Sequence, residues 1–341
     1  MSGPDISPSY NPRRERLGDI LPLASPFNVI IDVSEVCNFK CGYCFRANAA
    51  GPAAGYCRQN GLMDWDTFIR AAGLLAEFPE AVKKVSLSNH GEPLCNRRLP
   101  DMARALKRSG YRGEVEIHTN ASLLDREYAL DLAEAGLDRV IVSIQGLDAE
   151  QYRQMCGVRV DVEALCEHLQ TWRRHQKGGL LYVKSVDEAI PPGQEARFYQ
   201  KFSGLADRVF IESVVPLWRG RDDRPAGEKS RGLNKFRRSV PYQECCSLTF
   251  YTLVVAPEGT VYPCTWPDIS FSLGDIRRNT LKECWEGEKR KAFLRTQLRE
   301  GRRILADCAN CYIPQNTIQS EDDTINGYRE AILRRLDGLN G

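Results

Sequence analysis

Phe27-Asn-Val-Ile-Ile-Asp-Val-Ser-Glu-Val-Cys37-Asn-Phe-Lys-Cys41-Gly-Tyr-Cys44 is an apolar run that passes directly into three cysteines. Val29, Ile30, Ile31 and Val33 predict a buried strand over 27–33. Downstream of it, strands and helices alternate. Apolar runs predict further strands at 82–87, 114–118, 139–144, 180–186 and 208–215. Between them, helical spacing of apolar residues marks 64–78, the segment around Leu99, Met102 and Leu106, then 125–135, 148–155 and 162–175. Gly110 and Gly136 are placed to end two of these helices. Such alternation implies an α/β protein with a parallel sheet and helical crossovers. The strand runs read as apolar on both faces, as in sheets covered by helices. A doubly wound sheet and a barrel fit this pattern equally, and both put chemistry at the C-terminal ends of the strands.

With 341 residues the chain has room for about two domains. Its 42% apolar and 27% charged residues exclude wholesale disorder, and a net charge of +2 excludes a strongly basic nucleic-acid binder. No apolar run approaches the length of a membrane span, and residues 1–26 contain no signal-peptide core, so a cytoplasmic protein is expected. Thirteen cysteines are then a poor disulfide framework and point to metal or redox chemistry.

The expected organisation is an arm over 1–26, the alternating unit over 27–217, a charged linker over 218–244, a second domain over 245–320 and a helix-bearing tail over 321–341. In the second domain, 250–256 and 260–262 flank Pro257-Glu258-Gly259 as a hairpin. Residues 281–298 read as one amphipathic helix, and 326–336 as a short one.

Cys37, Cys41 and Cys44 follow the first strand at a spacing that can wrap one corner of a cubane cluster. A [4Fe–4S] cluster has four irons, so three thiolates leave one iron open as a reaction site. A zinc site would need a fourth ligand nearby, and the next cysteine is Cys57. The second group is Cys246 and Cys264, across the hairpin from each other, with Cys308 and Cys311 in a C-x2-C pair. Four thiolates saturate either a [4Fe–4S] cluster or a tetrahedral zinc site, and spacing does not separate the two.

The C-x3-C-x2-C run resembles the signature of the radical S-adenosylmethionine (SAM) enzymes. In that family the open iron holds SAM, and one electron cleaves it to methionine and a 5′-deoxyadenosyl radical. The resemblance extends to Tyr43, at an aromatic position that implies an adenine contact. It also takes in Asn89-His90-Gly91-Glu92-Pro93, similar to the family's glycine–glutamate–proline motif. There Gly91 implies close backbone approach to SAM and Glu92 implies orientation of its amino group, while His90 replaces the usual second glycine. Asn120, after the third strand, and Ser143, on the fourth, match positions implying contacts to SAM's carboxylate and ribose. The family implies a partial (β/α)6 TIM-like barrel with a small C-terminal α+β iron–sulfur domain. Cys246…Gly259…Cys264, Leu273-Gly-Asp-Ile276 and Leu281…Trp285 resemble the shortened (twitch) form of the SPASM domain, which implies two [4Fe–4S] clusters in all.

An open and a closed cluster in one chain suggest electron flow. The resemblance is to aminoglycoside and aminocyclitol dehydrogenases and epimerases of antibiotic biosynthesis. It implies oxidation of a carbinol carbon of a small sugar-like substrate to a ketone, with flavodoxin or ferredoxin as reductant and neither nucleic acid nor membrane as partner. Lys184 and Glu212 are candidates for handling the hydroxyl proton. In the alternative, an epimerase, a cysteine returns hydrogen to the carbon, and Cys245 or Cys95 would be the donor. Peptide modification is a third reading. Only 36 residues precede Cys37, too few for the leader-binding domain of many peptide-modifying relatives, so a small substrate is expected.

Overall fold

The structure is a computed structural model that describes residues 14–46, 61–215, 233–266 and 269–338. After a single-turn helix α1 (Leu17–Ile20), the first unit runs β1 (Asn28–Ile31), α2 (Trp65–Leu74), β2 (Lys84–Ser86), α3 (Leu99–Arg108), β3 (Glu114–Thr119) and α4 (Arg126–Glu134). It continues through β4 (Arg139–Ser143), α5 (Ala149–Cys156), α6 (Val162–His175), β5 (Leu180–Val186), α7 (Glu195–Phe202) and β6 (Arg208–Glu212). Aspartates start four of the helices. Asp64, Asp125, Asp148 and Asp161 each accept backbone N–H bonds of the first turn, a device worth about 1 kcal/mol apiece. The expected strands are all present. Helix α7, which the sequence reading passed over, supplies the last crossover, burying Phe198 and Phe202.

Strands β1 to β6 lie side by side in sequence order, every neighbour parallel. A doubly wound sheet reverses its strand order at a switch point. No reversal occurs here, so the unit is the opened barrel. The expectation of two apolar strand faces needs correction. Val29, Val85, Val115, Val140, Leu181 and their alternates pack against the helices. The other face mixes buried Ile30, Ile141 and Phe210 with Lys84, Glu116, His118, Arg139, Ser143, Lys184 and Glu212, because successive side chains alternate across a strand. One helical layer therefore covers one face, and an interior with both apolar and charged side chains lies on the other.

The sheet does not stop at the second domain. After α8 (Leu248–Tyr251), strand β7 (Thr252–Val255) pairs parallel to β1, with Asn28 opposite Thr252 and Ile31 opposite Val255. The hairpin to β8 (Thr260–Tyr262) turns at Gly259, whose φ of +94° requires the left-handed region. β9 (Gly274–Asp275) completes a sheet of nine strands among the described residues. The single helix expected over 281–298 is two, α9 (Leu281–Glu286) and α10 (Glu288–Glu300). Gly287 is extended between them, and a Cβ there would meet the Glu283 carbonyl at 2.7 Å. Leu17 and Leu21 from the expected arm share an apolar cluster with Phe293, Leu294 and Leu298 of α10 and with Ile325 and Ile332 near the C-terminus.

Candidate functional site: two cysteine centres at one end of the sheet

The 37–44 loop leaves the C-terminal end of β1 and is fastened to the last turn of α5. Lys40 N–H donates to the Cys156 carbonyl (3.0 Å) and Gly42 N–H to that of Met155 (2.9 Å). Phe39 is buried edge-on to Tyr152, with ring centres 6.0 Å apart. The Cys37, Cys41 and Cys44 thiols are half-buried. Cys156 donates its thiol to the Tyr152 carbonyl (3.0 Å). Cys57 lies outside the described residues, as does the segment 216–232 of the expected linker.

The loop after β2 lies against this one. A Cβ on Gly91 would meet the Ser34 carbonyl at 2.2 Å and that of Val36 at 2.6 Å, so only glycine permits the approach. Glu92 N–H donates to the Val36 carbonyl (2.8 Å). The Glu92 carboxylate accepts from Thr119 Oγ1 (2.5 Å), Asn120 N–H (2.6 Å) and Leu94 N–H (3.0 Å). Burial raises it to about 7, and those bonds oppose the rise. These contacts knit the ends of β2 and β3 together. Asn120 donates to Asn38 Oδ1 (2.9 Å) and accepts from Ser122 Oγ (2.7 Å), and so faces the cysteine loop. Tyr43 donates to Gln145 Oε1 (2.8 Å), a buried residue two past Ser143 that sequence reasoning missed. Ser143 is level with Lys184 across β4 and β5.

Lys184 and Glu212 do meet. Their Nζ and Oε2 atoms are 2.8 Å apart on the interior face, and Lys235 Nζ stands 3.9 Å from Glu212 Oε1. On the same face, Lys84 pairs with Glu116 at 2.7 Å. Burial would raise Glu116, yet Lys84 and His118 override it and hold the carboxyl at about 2.

The second centre gathers Cys246, Cys264, Cys308 and Cys311 around one cavity, whose wall includes Trp266 and Arg302. Four thiols bordering one apolar cavity fit a [4Fe–4S] core, as the three-thiol loop does with one corner left open. Burial raises the Cys311 thiol to about 12, so the four sulfurs need metal to stay as thiolates. Cys245 takes a different direction from its neighbour. It is buried in the apolar cluster with Leu17, Phe250 and Leu294 and does not border the cavity. Cys245, the expected hydrogen donor of the epimerase reading, is thus a buried side chain.

His90 joins the two centres. Its Nε2–H donates to the carbonyl of Thr265, next to Cys264, at 2.9 Å, and Asn89 donates to Nδ1 at 2.8 Å. Burial lowers His90 to about 4, which keeps it neutral. Beneath it, buried Asp32 accepts the His90 backbone N–H (3.3 Å) and is raised to about 8 by burial and by Glu35. A histidine in the second-glycine position was the one sequence signal for this link.

Residues 31–186 match the family model described as the radical SAM superfamily, and residues 245–312 match that of the iron–sulfur cluster-binding SPASM domain. A GTP 3′,8-cyclase of Xanthomonas axonopodis is 34% identical over 39% of this chain and 38% of its own length. The chain thus spans about two-fifths of that curated relative. Among solved structures, BtrN in complex with AdoMet and 2-DOIA matches with a TM-score of 0.53 and 18% identity, over 86% of this chain and 95% of BtrN. Streptococcus suis SuiB bound to S-adenosylmethionine matches with a TM-score of 0.62 and 17% identity, over 90% of this chain and 77% of SuiB. At these identities the two structures speak for the fold alone. The two matching domains make this chain a radical SAM enzyme with a C-terminal iron–sulfur cluster-binding domain, using SAM and [4Fe–4S] clusters.

Proposed function

We propose that the chain oxidises a carbinol carbon of a small sugar or aminocyclitol to a ketone. Cys37, Cys41 and Cys44 hold the first cluster in this reading, and Cys246, Cys264, Cys308 and Cys311 the second. SAM on the first supplies a radical that takes hydrogen from an unactivated C–H bond, and the second supplies an acceptor for one electron. Tyr43, Asn120 and Ser143 contact SAM, while Gly91 and Glu92 shape the loop beside it. Glu212 accepts the substrate's hydroxyl proton, and Lys184 holds that carboxylate in place. A flavodoxin or ferredoxin serves as reductant.

The observation that supports this reading is the His90–Thr265 hydrogen bond, which ties the loop after β2 to the residue next to Cys264. The epimerase reading needs an accessible thiol, and burial of Cys245 among apolar side chains counts against that donor. The test is anaerobic turnover of reconstituted protein with SAM, reductant and a panel of aminocyclitols, with GTP for contrast. One ketone per 5′-deoxyadenosine is expected. An inverted carbinol carrying solvent deuterium, or a cyclised GTP, contradicts the proposal.

A further inference from the structure

Arg302 follows α10 and is 1% exposed, which makes it one of the largest fully buried side chains. Its guanidinium meets only neutral oxygens. Nε donates to the Gln243 carbonyl (2.7 Å), Nη1 to the carbonyls of Cys311 (2.8 Å) and Cys308, and Nη2 to Gln315 Oε1 (3.2 Å). The ring of Tyr242 lies 4.7 Å away. Among the described residues no carboxylate forms an ion pair with it. A full positive charge removed from water is costly unless an anion faces it. The same side chain borders the cavity of Cys246, Cys264, Cys308 and Cys311. Four thiolates around a [4Fe–4S] core leave a net negative charge, and taking up one electron adds another. The guanidinium therefore attracts the reduced form more strongly than the oxidised one.

We infer that Arg302 is the counter-ion of the second cluster and a positioning residue that raises its reduction potential, making it the readier electron acceptor. The step is uptake of one electron by the oxidised cluster, with no bond made or broken and no proton moved. In a redox titration an external reductant supplies that electron. In turnover the substrate radical does, a role that rests on the function proposed above. The potential itself does not depend on that function.

The experiment is an EPR-monitored redox titration of the anaerobically reconstituted full chain. A Cys41→Ala background removes the first cluster and so assigns the signal. Arg302→Gln should cut the reduced-to-oxidised ratio at a fixed applied potential at least tenfold, which is 59 mV for a one-electron couple. Arg302→Lys, which keeps the charge and loses most of the carbonyl bonds, should stay within threefold of the parent. Gln315→Glu tests the charge without disturbing Arg302. A carboxylate 3.2 Å from Nη2 offsets the guanidinium and should shift the ratio in the same direction as Arg302→Gln. If Arg302→Gln sheds its iron, Gln315→Glu decides alone. Parent-like titration by Gln315→Glu, or a lysine variant shifted as far as the glutamine variant, overturns the inference. Failure of every substrate to give a ketone would remove the proposed function and leave this result standing.

Discussion

His90 Nε2 lies 2.9 Å from the carbonyl oxygen of Thr265, so one hydrogen bond ties the loop after β2 to the residue beside Cys264. Burial keeps the ring neutral above about pH 4, so the donor and acceptor roles are fixed through the physiological range. His90→Ala should leave both clusters in place and lower the ketone formed per 5′-deoxyadenosine, because the acceptor is no longer held against the SAM end. Product ratios from single turnovers check this, and an unchanged ratio removes His90 from the coupling.

Cys41→Ala should abolish SAM cleavage and reduce iron by about four atoms, one cluster's worth. Cys264→Ala should lose a similar amount, keep SAM cleavage and stop ketone formation. Iron assay and 5′-deoxyadenosine quantification on the two variants separate the roles of the two centres.

Glu212→Gln removes the proposed proton acceptor and keeps the side-chain volume opposite Lys184 Nζ. Turnover should fall about 100-fold, the scale of general-base catalysis, with SAM binding unchanged. A variant within threefold of the parent would move the base elsewhere.

Cys245 sits among Leu17, Phe250 and Leu294. Cys245→Ala should therefore cost about 1 kcal/mol of stability through lost packing and leave the product distribution as it was. Urea unfolding and product analysis read the two effects. A stalled reaction, or one that leaks ketone only in the variant, supports the epimerase.

Glu116 is held at about 2 by Lys84 and His118 against its burial. A carboxyl lowered on folding adds stability that is present above its unfolded value, near 4.3, and is lost as pH falls toward 2. Glu116→Gln should therefore be less stable than the parent at pH 6, and the gap should narrow by pH 3. Urea midpoints at the two pH values check the sign.

The alternation of strands and helices was legible because apolar residues repeat at the strand and helix periods, and four helices announce themselves with an aspartate cap. The cysteine centres were legible because their ligands come in short, fixed spacings. The mixed interior was not. Lys84, Glu116 and His118 look like ordinary surface residues until the strand register stacks them on one face. The pairing of β7 with β1 joins residues more than 200 positions apart, which local pattern cannot reveal. Arg302 and Arg303 read as one basic pair, yet the chain buries the first against two cysteine carbonyls. Gly287 was legible as a helix breaker and was passed over because apolar spacing continues through it.

The most direct test of the two-centre chemistry is the iron, sulfide and zinc content of the anaerobically reconstituted chain. Two [4Fe–4S] clusters predict about eight irons, about eight sulfides and no zinc per chain. About four irons with one zinc would make the Cys246, Cys264, Cys308 and Cys311 site structural and contradict its role as electron acceptor.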